Sequence, residues 1–278
     1  MNTQASHTAV IAPRFAPSMR SHAGLGQFIA PSGPSPKDNR LLAALPEADY
    51  LRLLPHLEPF SVALGGTISN PCGTLSHIHF PTGGIIARVG TLQDGSSSEV
   101  SLTGSEGLIG LYLFLGGSIA SPRQTVVLCP AHGYRMKAAI FQEEFERSSQ
   151  LRRILLLYTQ TLVTQVAQQS ACNRRHRLEQ RFASLLLQIL DRIPSSKFAM
   201  TQEMLAAMLG VRREGVTEAA LAMQRDGAIQ YRRGHIAVLD RRKLAQRACE
   251  CYEVVSKECD RLFFASDKNK ARGYLPVM

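Results

Sequence analysis

The sequence predicts an α+β chain with three parts in order. These are an N-terminal antiparallel β-roll of the cupin-like jelly-roll kind, a long dimerisation helix, and a C-terminal winged helix-turn-helix. Three observations predict it. From Val62 to about Leu128, short strand-like pieces (HIHF, GIIARVGTL, SSEVSL, QTVVL) are separated by Gly, Pro and Asp-Gly turns, as in a small antiparallel barrel or sandwich. From about Ile140 to Cys172 there is no Gly or Pro, and apolar residues recur at steps of four and three. From Thr201 to Asp240, two short helical patterns flank a Leu-Gly-Val break and lead into an alternating strand pair.

Composition limits the function classes. The 278 residues suffice for about two domains with hydrophobic cores, and no apolar run approaches the length of a membrane span. Residues 1–38 form an arm expected to be disordered; its first 36 residues hold Pro, Ser, Gly and His without periodicity, with Arg14 and Arg20 and no acidic residue. The net charge of +10 is unevenly placed: from Arg174 onward 20 Lys and Arg face 12 Asp and Glu, whereas the preceding residues hold 12 against 10. An anionic partner is therefore expected for the C-terminal part. Six cysteines, at 72, 129, 172, 249, 251 and 259, read as reduced thiols in a cytoplasmic protein.

The β-roll is placed at 39–139. It opens with two short helices carrying Leu41, Leu42, Leu45, Leu51 and Leu54, interrupted by Pro46 and Pro55. Asp94-Gly95 is a hairpin turn signal. His77 and His79 share one side of a strand, where a metal site is geometrically open and a solvent-facing strand is the plainer reading. The long helix, 140–172, carries Leu151, Leu155, Tyr158 and Leu162, with Gln165 continuing the register. An apolar seam turning polar suits a helix paired with its own copy, which is the favoured expectation; the alternative is a helix that packs on the roll of its own chain. A further helix, about Arg175 to Ile193, buries Leu178, Phe182, Leu185, Leu186 and Ile189 and stops at Pro194.

The C-terminal domain, 173–248, contains TQEMLAAMLGVRREGVTEAALAMQRDGAI. Thr201 is the expected N-cap of its first short helix, and Gly210 closes it. A second helix, 212–225, places Val216, Ala219, Ala220 and Met223 on a core stripe, with Arg213, Thr217, Glu214 and Glu218 outward. Two arginines at a helix start oppose the helix dipole, so a partner is expected to supply the anion. Ile229 and Tyr231 then pair with Ile236 and Val238 around a turn bearing Arg232, Arg233 and His235. Duplex DNA fits this set. Arg212 or Arg213 can reach a phosphate or bridge guanine O6 and N7, and Glu214 can accept from a cytosine amino group. Thr201, Gln202, Arg232, Arg233 and His235 sit where phosphate contacts hold the register. A basic head serving protein or RNA partners is the alternative. No catalytic residue and no metal ligand is assigned, because no phosphate loop, nucleophile elbow or zinc-protease motif is present. The region 249–278 is read as a C-terminal tail bearing thiols.

From Asn39 to Tyr252 this order of parts resembles the Crp/Fnr family of bacterial transcription regulators, most specifically over Thr201 to Asp240. The resemblance implies a homodimer on palindromic operator DNA, a cyclic-nucleotide-binding-like β-roll, and RNA polymerase as a partner, without a membrane. It implies base reading by Arg213 and Glu214, with Glu218 standing where many members carry Arg. In EGLIGLYLFLGGSIASPRQTVVL, Gly110, Arg123 and Gln124 match a nucleotide-phosphate cassette only in degenerate form, because Leu111 replaces the carboxylate that would hold the ribose hydroxyl. An unpaired ribose hydroxyl would cost about 1–3 kcal/mol. A cyclic nucleotide is therefore not expected. Nor is an iron–sulfur cluster, because the sensor part holds only Cys72 and Cys129. The cofactor is left unassigned.

Overall fold

A computed structural model describes residues 34–69, 75–91, 97–115 and 124–266. Asp94-Gly95, Cys72, Arg123 and most of the N-terminal arm lie outside these residues. Ser35 caps a 3-10 turn over Pro36–Asp38, so ordered structure starts before the expected boundary at Asn39. The buried Asn39 then does two jobs. Its Oδ1 accepts from the N–H groups of Leu41 and Leu42, starting α1 (Arg40–Ala43), and its Nδ2 donates at 2.8 Å to the carbonyls of Pro81 and Gly107 in the roll. In α2 (Glu47–Leu53) the inward residues are Tyr50 and Leu53; Leu51 and Leu54, expected inside, are exposed. The Pro46 break resets the helical phase, so a single stripe drawn through both helices misplaces the second.

Strands β1 (Glu58–Val62), β2 (Thr67–Ser69), β3 (His77–Thr91), β4 (Ser97–Thr103) and β5 (Gln124–Lys137) make one antiparallel sheet of order β1-β5-β3-β4, with β2 also on β5. HIHF and GIIARVGTL, read as separate pieces, belong to one strand, β3. Its pairing with β5 shifts register across Pro81 to Ile86, where Gly84 takes a positive φ of 84°. A Cβ at Gly84 would stand 2.2 Å from the Pro130 carbonyl oxygen, so only glycine lets the two strands approach there.

The long helix is two. After α3 (Ala138–Arg147), Ser148 is extended and its hydroxyl caps α4 (Ser149–Arg175) by accepting from Leu151 N, while donating to Asp49 at 2.9 Å. The C-terminal domain follows as α5 (Leu178–Leu190), β6 (Lys197–Ala199), α6 (Gln202–Leu209), α7 (Arg213–Arg225), β7 (Ile229–Arg232), β8 (His235–Val238) and α8 (Arg241–Arg247). Its sheet has the order β6-β8-β7, with Ile229 opposite Val238 and Tyr231 opposite Ile236 as expected. The supposed tail contains an ordered helix, α9 (Cys251–Ser266), which lies along α4 and reaches the roll, where Arg40 stacks 3.8 Å over the Phe263 ring.

The expected self-pairing seam is corrected by this packing. Leu151, Leu155, Tyr158 and Leu162 pack in the core with Leu108, Phe141 and α1, all at most 5% exposed, and Gln165 is 6% exposed. The Tyr158 hydroxyl donates to Leu108 O and accepts from Leu108 N. Periodicity identified the apolar face of α4, and that face is covered by its own chain. A different stripe stays open: Leu156, Val163 and Val166 are 52%, 63% and 38% exposed. The head also docks on the roll. Residues of β3, β4 and β5 share one hydrophobic cluster with α5, α6 and α7, and α6 lies against β4.

Candidate nucleic-acid interface

Helix α6 begins where Thr201 accepts from Met204 N and ends at Gly210, whose φ of 63° suits the left-handed C-cap. The chain then enters α7 with Arg212 at the N-cap. A guanidinium has no acceptor to offer there, and no side chain caps the helix; Gly215 N–H turns back to Arg212 O at 3.2 Å. Val216, Ala219, Ala220 and Met223 are at most 2% exposed and fix the inner face. Arg212, Arg213, Glu214 and Glu218 are exposed, and Thr217 is half-buried with its hydroxyl donating to Arg213 O at 3.1 Å. Arg213 is steered by α6: its Nε donates to Gln202 Oε1 at 3.0 Å and its Nη1 lies 3.9 Å from Glu203.

The hairpin turn is made by Arg233 and Gly234, with φ of 50° and 77°. Two positive φ values in a two-residue loop match the right-handed twist of the flanking strands, and they put an arginine at the tip. Arg232, Arg233 and His235 are all exposed. The wing is tied to the segment leading into α6 and to α7: Tyr231 OH donates to Met200 O at 2.9 Å, Tyr231 N donates to Gln224 Oε1 at 2.8 Å, and Met200 N donates to Gly234 O at 2.7 Å. A groove between wing and α7 is lined by Thr201, Gln202, Arg213, Thr217, Leu221 and Arg233. The sequence reading missed Tyr231 and Gln224 as props, because their bonds cross elements. It also passed over Leu221, 47% exposed on the outer face of α7.

The degenerate cassette in the roll is only partly described. Gly110 (φ 119°) starts a 3-10 turn over Leu111–Leu113, and Leu111 is buried in one cluster with Phe114 and Tyr158. Gln124 donates to Thr67 Oγ1 at 3.3 Å. His79 is not on a solvent-facing strand: it is 9% exposed, edge-on to Phe60 at 5.0 Å, and burial pushes its pKa down to about 4. No third ligand gathers near His77 and His79 among the described residues.

Four potential metal ligands do converge elsewhere. Cys172, His176, Cys249 and Cys251, none of which was assigned as a ligand from the sequence, place their ligand atoms within 4.8 Å of one another. The hydrogen bond between Cys172 and Cys249 lowers the pKa of the Cys249 thiol, with help from the Ser184 hydroxyl and against the effect of burial, and raises that of the Cys172 thiol.

Comparison with known proteins agrees with this geometry. Residues 180–247 match the family model of the Crp-like helix-turn-helix domain. No curated protein sequence matches the chain significantly. Among solved structures, a transcriptional regulator of the crp/fnr family from Eubacterium rectale is similar at 19% identity and a TM-score of 0.59, over 76% of this chain and 98% of that one. FixK2 from Bradyrhizobium japonicum is similar at 16% identity and a TM-score of 0.60, over 69% of this chain and 98% of its own. A CRP-family transcriptional regulator from Thermus thermophilus is similar at 20% identity and a TM-score of 0.55, over 68% and 96%. The C-terminal domain of this chain is thus a Crp-like helix-turn-helix domain, and roll, long helix and winged head together have the fold of the Crp/Fnr transcription regulators.

Proposed function

We propose that the protein is a sequence-specific DNA-binding transcription regulator that grips a palindromic operator as a homodimer, with α7 in the major groove. The observation that carries this reading is the exposed start of α7. Two exposed arginines stand there at a helix start that no side chain caps, and Gln202 orients Arg213. Arg213 and Glu214 then read guanine and cytosine, Glu218 the adjoining base, and Leu221 offers apolar contact for a thymine methyl. Arg212, Thr201, Gln202, Thr217, Arg232, Arg233 and His235 hold the phosphates. RNA polymerase is the partner of the bound dimer in the same reading.

Arg213→Ala is expected to weaken specific operator binding by about 5- to 150-fold, or ~1–3 kcal/mol, and to relax one base position in each half-site. Fluorescence anisotropy on a selected site and its single-base variants at fixed salt measures this. Equal weakening on every sequence would make Arg213 a phosphate clamp. Absence of any salt-sensitive duplex affinity in the unmodified protein would end the DNA reading altogether.

The second subunit is placed on the open stripe of α4. Leu156 and Val163 are one heptad apart, and Val166 follows three residues on, a spacing that suits a left-handed helix pair. Two heads held this way would meet successive major grooves about 34 Å apart. Val163→Asp should give a folded monomer in sedimentation at micromolar concentration. Persistence of the dimer would remove α4 as the seam.

A further inference from the structure

We propose that Cys172, His176, Cys249 and Cys251 form a Cys3His site for a single zinc ion that clamps both connections between the winged head and the rest of the chain. The ligand set suits a soft-to-borderline divalent ion in closed tetrahedral coordination. The spacing suits one ion. Sγ of Cys172 and Cys249 are 3.5 Å apart, and Sγ of Cys251 is 3.4 Å from Nδ1 of His176. Ligand atoms about 2.0–2.3 Å from a shared centre lie at roughly such separations along a tetrahedron's edges. A polynuclear iron–sulfur cluster would hold its ligands farther apart, and a disulfide would use two of the thiols and leave the third and the imidazole unexplained.

The surroundings are those of a metal site. Nδ1 of His176 faces the sulfurs while Nε2 lies 3.2 Å from the Glu250 carboxylate, so the carboxylate fixes the ring and the tautomer with the metal-binding nitrogen free. The Gln168 amide donates to Cys251 Sγ at 3.1 Å, and the Ser184 hydroxyl lies 3.2 Å from Cys249 Sγ. Three thiolates and a neutral imidazole around a dication leave one negative charge. Arg181 borders the same cavity, and its Nε is buried with no hydrogen-bond partner. Binding releases the remaining thiol protons to solvent, so affinity falls as pH falls.

Position gives the site its consequence. Cys172 and His176 lie at the end of α4, where the chain turns into α5, and Cys249 and Cys251 lie where α8 turns into α9. These are the two places where the head joins the rest of the described chain, so one ion would tie both. The inference does not depend on what the head binds.

The test is metal content. Full-length protein purified without chelator, or stripped anaerobically and given zinc alone, should hold about one zinc per chain by plasma mass spectrometry. Cobalt in its place should show the strong visible bands and near-ultraviolet thiolate charge transfer of a tetrahedral thiolate site. Cys251→Ser and His176→Gln should abolish those signals, whereas Cys129→Ser should keep them. Glu250→Gln, at a side chain 73% exposed and so safe for folding, should weaken zinc affinity about 10-fold. A wild-type chain that takes up no zinc, an unchanged cobalt spectrum in Cys251→Ser, an iron–sulfur chromophore, or a Cys172–Cys249 disulfide under reducing conditions would each overturn the proposal.

Discussion

Glu106→Gln is expected to cost ~3–5 kcal/mol of stability, the largest loss among the single substitutions considered for this chain. Glu106 belongs to the roll and Arg192 to the end of the head's first helix, and Arg192 Nε donates to Glu106 Oε1 at 2.8 Å. The side chains are 15% and 7% exposed, so both charges are largely desolvated, although they border an open polar cavity. The glutamate is further fixed by Gly104 N–H, which donates to both its oxygens at 3.1 Å, and Arg192 donates from Nη1 to Gln188 O at 2.8 Å. A glutamine keeps the shape and removes the charge, leaving a buried guanidinium without its main counterion. The converse change separates the pair's cost from its geometry: Glu106→Leu with Arg192→Met should come within about 1–2 kcal/mol of the parent, because it removes both desolvation penalties together. Urea unfolding monitored by far-ultraviolet circular dichroism reads both variants. A loss below ~0.5 kcal/mol for Glu106→Gln would mean that the pair is solvated and that the head rides loosely on the roll.

That ion pair joins residues 86 positions apart, and it shows which features the sequence could disclose. The helix-turn-helix was legible almost residue by residue because its determinants are local. Thr201 caps three residues ahead, Gly210 supplies a left-handed C-cap, the stripe at Val216, Ala219, Ala220 and Met223 repeats with the helix, and alternation pairs Ile229 with Val238. Periodicity also found the buried face of α4, but a period names a face without naming what covers it. Leu151, Tyr158 and Leu162 were therefore assigned to a second copy when the roll of the same chain takes them. The break at Ser148 was missed because serine is ordinary inside a long polar-apolar repeat, and its capping role depends on Asp49, 99 residues away. The Cys-His cluster stayed hidden for the same reason. Cys172 and Cys249 are 77 positions apart, a spacing that matches no short ligand motif and is closed by the packing of α8 on α5 and of α9 on α4.

The second large effect concerns pH and the other carboxylate near Arg192. Glu99 sits on β4 opposite Val89, 7% exposed, and burial pushes its pKa up to about 7 while Arg192 pulls it part of the way back. In the unfolded chain the same carboxyl titrates at its ordinary value of 4.5. Between these values the folded state binds the extra proton, so rising pH must destabilise it. The stability associated with Glu99 is fully present below pH 4.5 and is lost as pH rises through 7, amounting to ~3 kcal/mol. Glu99→Gln holds the position neutral at every pH. The variant should therefore be more stable than the parent above pH 7 and should close that gap as pH falls toward 5, in urea melts run across the range. Two buried or near-buried carboxylates share one guanidinium, and Glu106 has the direct bond, so Glu99 is the one left to keep its proton. In Glu106→Gln the freed guanidinium has Glu99 as its remaining anion, and the Glu99 titration should move down toward the ordinary carboxylate range. If it stays near 7 in that variant, Arg192 has followed solvent instead, and the two carboxylates do not compete for it.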